Sequence, residues 1–330
     1  MVGLFKRKNP GNAFLLLIYA LILKFPIFLY PRLPVASPTD SYLYSKVLSF
    51  LLPFAGSSGL IFSFISFIVL FLQASLFNRI VNHHKFFPKP NFLAGMALML
   101  VTSLIPSWSY FSAPLLVNLL MVWALYRMLN LYNTQQPGAA IFNIGILIGV
   151  CSMLYFPSIV FTLLVLFALI IMRPFRIREW IIGLLGVTTP YYFLFIFLYL
   201  AGTWNWNIIT PSVRLRLPAL PTSVWTTISI ALLVLPFILG GFFVQNNLNK
   251  MLIQVRKGWS LLLLFLMLAA SVIFMNDDSE YSNWMLTALP FAAFHASAYY
   301  FPSQRIFAAV LHWITFGYVI ILMYRVIAPA

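Results

Sequence analysis

Apolar runs of about 20 residues recur along almost the whole chain, and this pattern constrains the fold more than any other feature. At ~1.5 Å rise per residue, such a run matches the ~30 Å hydrocarbon core of a bilayer. Within hydrocarbon every backbone N–H and C=O must be paired inside the protein, which leaves helices or closed barrels. The runs here are continuous rather than alternating, so helices are expected. Composition agrees: 62% of residues are hydrophobic and 8% charged, against roughly 25% charged in soluble domains.

The expected spans are 13–31, 59–78, 92–106, 113–130, 138–155, 157–172, 180–200, 224–244, 259–275, 284–300 and 306–325. The fold class is therefore all-α: a polytopic transmembrane helical bundle of about eleven spans, forming a single transmembrane domain over residues 1–330. Pro106-Ser107-Trp108-Ser109 and Tyr155-Phe156-Pro157 divide two pairs of spans into tight hairpins, because proline disfavours helix at the residue before it. Lys6-Arg7-Lys8 followed by an apolar run imitates a secretion signal. The run is too long and lacks an A-x-A site, so it reads as an uncleaved first span.

Charge orients the bundle. With the N-terminus in the cytoplasm, 14 of the 20 basic residues fall in cytoplasmic segments, among them Arg79, Lys85, Lys89, Arg173, Arg176, Arg178, Arg256 and Lys257. Arg32, Lys46, Arg214, Arg216 and Arg325 lie outside, with four of the five acids: Asp40, Asp277, Asp278 and Glu280. Inversion would break the positive-inside rule. The expected location is a bacterial inner membrane. The same placement explains the net charge of +15 by attraction to anionic lipid, with no nucleic-acid partner. The two long outer-face loops are 32–58 and 201–223; the first holds an apolar stretch, Tyr42 to Phe54, suited to a helix along the interface.

Four positions carry possible chemistry. Lys24 sits mid-span, where a charge costs at least ~2.5 kcal/mol on insertion scales. Pro26 should kink the helix and free carbonyls for it. The ammonium either lines a pocket for an anionic headgroup or bonds carbonyls within the bundle. Asp40, within Pro38-Thr39-Asp40-Ser41-Tyr42-Leu43-Tyr44, could act as general base for an acceptor hydroxyl, with Tyr42 beside it; the plainer role is capping the following helix. Arg214 and Arg216 could fork onto a lipid phosphate or merely touch ordinary headgroups. Asp277, Asp278 and Glu280 read as a solvated turn. His83, His84, His295 and His312 are too dispersed for a catalytic metal, and one cysteine, Cys151, builds no disulfide or zinc site. No metal, no cofactor and no nucleotide-binding loop is expected.

Two segments resemble the GT-C glycosyltransferase superfamily. One is the first outer loop, with Asp40 followed by Ser41-Tyr42. The other runs from Gly145-Ile-Leu-Ile-Gly149 through Pro157-Ser158, Arg173-Pro-Phe-Arg176 and Gly183-Leu-Leu-Gly186 to Pro190. The likeness covers roughly the first 200 residues. It departs at 107–112, which lacks a second acid, and in having no periplasmic C-terminal domain. Taken whole, the chain resembles an uncharacterised group of polytopic inner-membrane proteins of Bacteroidetes. The resemblance implies handling of a polyprenyl-phosphate sugar or related lipid at the outer face. Asp40 would be the catalytic base, Arg214 and Arg216 the phosphate ligands, and Lys24 and Tyr42 the pocket. The alternatives are a transporter or lipid flippase working through Lys24, or a non-enzymatic subunit of an envelope complex with membrane-protein partners.

Overall fold

The computed structural model describes the chain apart from Lys8, Pro10, Ser57 and residues 209–222, 276–280 and 327–330. Arg214, Arg216, Asp277, Asp278 and Glu280 lie outside the described residues. The α-helices are α1 (Val2–Phe5), α2 (Asn12–Lys24), α3 (Pro26–Leu29), α4 (Tyr42–Ala55), α5 (Leu60–His83), α6 (Leu93–Val101) and α7 (Ala113–Asn130), then α8 (Gly138–Leu154), α9 (Phe161–Met172), α10 (Ile177–Leu200), α11 (Val224–Asn247), α12 (Ile253–Ile273), α13 (Ala288–Tyr300) and α14 (Arg305–Ile321). Among the described residues there is no strand, only an isolated antiparallel bridge between Asp40 and Tyr155. Each expected apolar run contains helix, but the 92–106 run is α-helical only over Leu93–Val101 and the 284–300 run only from Ala288. Six helical segments are long and apolar enough to cross a membrane: Leu60–His83, Ala113–Asn133, Ile177–Leu200, Val224–Lys250, Ile253–Ile273 and Ile306–Tyr324.

The long helices surround two short ones. All nine residues of α6 are buried, as is nearly all of α13. A short helix at the centre of an apolar bundle has a specific problem: its unpaired terminal N–H and C=O groups have no water to meet. Asparagines solve it at the start of α6. Asn91 Oδ1 accepts from Leu93 N at 3.0 Å and Asn78 Oδ1 from Gly95 N at 3.2 Å. Asn78 and Asn82 in turn donate to the Asn91 carbonyl.

Prolines set where helices break. Pro26 separates α2 from α3, and the Ile22 carbonyl, whose donor would have been the missing N–H of Pro26, accepts from Tyr324 Oη at 3.0 Å. Glycines set how closely helices pack. On α8, a Cβ at Gly145 would run into the Gly183 carbonyl of α10, and one at Gly149 into the Val187 carbonyl. On α11, a Cβ at Gly240 would strike the Phe294 carbonyl of α13. This is the small-residue packing of membrane helices, which lets backbones approach. It accounts for Gly145, Gly149 and Gly186 on packing grounds, whereas a Cβ at Gly183 would make only ordinary contacts.

The two ends of the bundle differ. At the basic end, Phe92 N donates to Phe5 O at 2.8 Å and Lys6 Nζ to Tyr300 O at 2.7 Å. Here Arg173 clamps α7, α9 and α10 together, pairing with Glu179 at 3.0 Å and donating to the Leu131 and Thr134 carbonyls. At the opposite end lie α4 and the 30–41 loop. Helix α4 buries Tyr44, Leu48 and Ala55 on one face and exposes Phe50 and Phe54 on the other.

Candidate functional site

The candidate site is at the end opposite the basic one and is built around the turn that follows α6. Thr102 and Ser103 bond back to the Leu98 and Met99 carbonyls, and Pro106 then opens a 3₁₀ turn, Pro106–Ser109. Because Pro106 has no N–H, the Thr102 carbonyl loses its helical donor. Lys24 replaces it: Nζ donates to Thr102 O at 2.8 Å and to Ser109 Oγ at 2.8 Å, with the side chain fully buried. A cation at a helix C-terminus also meets the negative end of the helix dipole. Lys24 thus faces the bundle interior. Its carbonyl partner is the one released by Pro106, not one released by Pro26 as the sequence suggested.

The other side of this turn lines a cavity of about 260 Å³, where Arg32, Ser107, Ser223, Thr226, Ser229 and Tyr281 meet. Among the described lining residues, Arg32 is the cation. Its guanidinium lies 4.8 Å from the centre of the Tyr110 ring, and Tyr110 Oη reaches Tyr30 O at 3.3 Å. Gly59, at φ 65°, lets the start of α5 pass under the Arg32 backbone; a Cβ there would lie 3.2 Å from the Arg32 carbonyl. Trp108 Nε1 donates to Tyr281 O at 2.8 Å, tying the turn to the start of the 282–287 segment.

Asp40 is held by its own turn and by α8. Ser37 N donates to Asp40 Oδ2 at 2.7 Å. Ser41 N donates to Leu154 O, Phe156 N to Thr39 O, and Ser41 Oγ to Ser152 O. The N-cap of α4 is Ser41, without a side-chain cap bond, so Asp40 orders the preceding turn rather than capping the helix. Tyr42 is half-buried and carries Lys46 over its ring at 5.2 Å. The tyrosine that senses Asp40 is Tyr44, one helical turn on. It is buried and stacked on Phe111 at 6.0 Å. Burial, and then the Asp40 carboxylate, raises its hydroxyl well above the usual phenol range.

Tyr110 therefore supports Arg32 while its neighbour Phe111 supports Tyr44, so the 106–112 turn stands between the Arg32 cavity and the Asp40 turn. The structure brings Lys24 to one side of that turn and Asp40 to its flank. Arg214 and Arg216 fall outside the described residues. Sequence reading missed Arg32, Tyr44 and Ser109. Arg32 had a usable signal, being a cation on the face that the charge bias should leave poor in cations. Among the described residues no three His, Cys, Asp or Glu side chains converge.

Long apolar helices around buried short ones define a helical membrane protein. Over residues 42–328 the chain matches the family described as "Family of unknown function (DUF6427)", and it belongs to that family. No curated protein and no solved structure matches it.

Proposed function

We propose that this protein spans a bacterial inner membrane of the Bacteroidetes type about eleven times with its N-terminus in the cytoplasm, and binds a polyprenyl-phosphate sugar or a related lipid phosphate at its outer face in a GT-C-like manner. The observation that carries this reading is the Arg32 cavity. A guanidinium braced against an aromatic ring, in a pocket lined by serine, threonine and tyrosine, suits a phosphate that needs bidentate and hydroxyl donors together. Arg214 and Arg216, the phosphate ligands of the sequence reading, lie outside the described residues. Asp40 is the base of the reading, and it stands across the 106–112 turn from the Arg32 cavity rather than in its lining. Its Oδ2 is oriented by the Ser37 N–H, and a pinned carboxylate is what proton abstraction from an acceptor hydroxyl requires. Lys24 acts at one remove, fixing the turn that floors the cavity.

The transporter alternative needs a polar route past Lys24. With that side chain fully buried and bonded to Thr102 and Ser109, it has less support.

The test is binding and turnover measured separately. In nanodiscs, Arg32→Gln should weaken retention of undecaprenyl phosphate at least tenfold, which corresponds to about 1.4 kcal/mol and to the loss of one charge-assisted contact. Asp40→Asn should leave retention intact and abolish transfer from a polyprenyl-phosphate sugar. Full retention by Arg32→Gln would overturn the reading.

A further inference from the structure

A second cavity, of about 680 Å³, opens at the basic end between α1, α2, α13 and α14, far along the bundle from the Arg32 site. Lys6, Arg7, Asn12, Tyr299, Ala308 and Ala309 are among its walls, and none of its described lining residues is acidic. Its frame is built rather than incidental. Asn12 Nδ2 donates to the Leu4 and Arg7 carbonyls, fixing α1 against α2. Lys6 Nζ is anchored on the Tyr300 carbonyl at 2.7 Å, so its charge is held at the rim.

The inner wall has an anomaly. Tyr299, fully buried, meets His312 edge-on at 5.8 Å, and His312 stacks on Tyr19 at 6.0 Å. Both ring nitrogens of His312 and the hydroxyl of Tyr19 are buried without a hydrogen-bond partner in the protein. Leaving such groups unpaired is unfavourable, and native interiors supply them with water or a ligand. Ala308, one helical turn before His312 and on the same face of α14, lines the cavity.

We propose that this cavity binds the headgroup of an anionic phospholipid, with the phosphate against Lys6 and Arg7 and the headgroup hydroxyls directed past Tyr299 towards His312 and Tyr19. A lipid fits better than a free phosphate because the walls continue into exposed apolar surface. Leu4 on α1 is 58% exposed and Ile306 on α14 is 78% exposed, which gives acyl chains a path that a soluble anion would not use.

The test is native mass spectrometry of the full chain, delipidated and offered phosphatidylglycerol, phosphatidylcholine or glycerol phosphate. Phosphatidylglycerol should be retained at least tenfold over phosphatidylcholine, and glycerol phosphate should not displace it at equal concentration. Lys6→Gln with Arg7→Gln should lose that preference. Ala309→Phe, which fills the cavity without changing charge, should lose it too. Arg176→Gln, exposed and outside the lining residues, should keep it. Retention by Ala309→Phe would mean diffuse attraction to the basic end and would overturn the site; displacement by glycerol phosphate would overturn the lipid assignment. Should Ala309→Phe fail to fold, amide exchange on the unaltered protein decides. Phosphatidylglycerol, and not phosphatidylcholine, must slow exchange in α1.

Discussion

Lys24 gives the sharpest energetic test. In Lys24→Met the Thr102 carbonyl and Ser109 hydroxyl lose a charged donor at 2.8 Å each. Hydrogen bonds to charged groups contribute about 1.5–3 kcal/mol apiece. Against that loss, the variant no longer buries an ammonium, a relief of at least ~2.5 kcal/mol on insertion scales. The net destabilisation should be about 0–3 kcal/mol, smaller than two lost bonds alone imply. Ser109→Ala by itself is different: it leaves the buried ammonium with one partner and should cost about 1.5–3 kcal/mol. In the Lys24→Met background the same change removes only a long Ser109 Oγ to Thr102 O contact of 3.4 Å, worth at most about 1 kcal/mol. The two residues should therefore show a coupling of about 1–2 kcal/mol in a double-mutant cycle. Unfolding by SDS titration in mixed micelles, followed by tryptophan fluorescence, measures all four proteins. A coupling below about 0.5 kcal/mol, within the range of independent sites, would refute the claim that Lys24 caps α6 through this turn.

Three further outcomes are expected. In a Cys151→Ser background, a cysteine at Lys85 should be labelled only after the membrane is permeabilised and one at Val35 from outside; the reverse pattern would invert the proposed topology. Gly240→Ala should destabilise by roughly 1–3 kcal/mol, because its methyl meets the Phe294 backbone and overpacking costs that much. Gly241→Ala, with open space around it, should be neutral or stabilising, and equal effects in the same SDS titration would refute the packing argument. His84 is held at about 4, below its ordinary 6.5, by burial and then by His83. The unfolded chain therefore binds more protons between these values, so stability is complete above pH 6.5 and is lost as pH falls towards 4. At 1.36 kcal/mol per pH unit the effect is capped near ~3 kcal/mol. Thermal unfolding of His84→Gln should show a flatter profile across that window.

What the sequence made legible were the properties that depend on neighbours in the chain. The apolar runs marked the helices, Pro26 marked where backbone groups come free, and Pro106 marked where two helices divide. Tyr42 to Phe54 read correctly as a separate short helix. What it could not supply was which distant group meets which. The Ile22 carbonyl is taken by Tyr324, 302 residues away, and Lys24 reaches Thr102, 78 residues on. Nothing local distinguishes that outcome from Lys24 using the carbonyls beside its own proline. Helix phase was a second limit. Once α4 starts at Tyr42, the face turned inward carries Tyr44 and Leu48, so the aromatic beside Asp40 is Tyr44, while Tyr42 turns towards Lys46.

These two limits have a shared physical origin, and it bears on how the candidate site should respond to mutation. Around α6, polar side chains meet the backbone groups that its ends would otherwise leave unpaired: Asn78 and Asn91 at its start, Lys24 at its end. The segment that Lys24 secures, Thr102 to Ser109, continues into Tyr110 and Phe111, which brace Arg32 and Tyr44 respectively. A change at Lys24 should therefore reach the outer-face site through the position of this turn and not through lost contact with a ligand. Lys24→Met should weaken lipid-phosphate retention less than Arg32→Gln does, and should shift the Arg32 and Asp40 sides together. If Lys24→Met abolished retention while its unfolding stayed within the expected 0–3 kcal/mol range, the ammonium would have to be a direct ligand. The cavity would then have to open as far as Thr102.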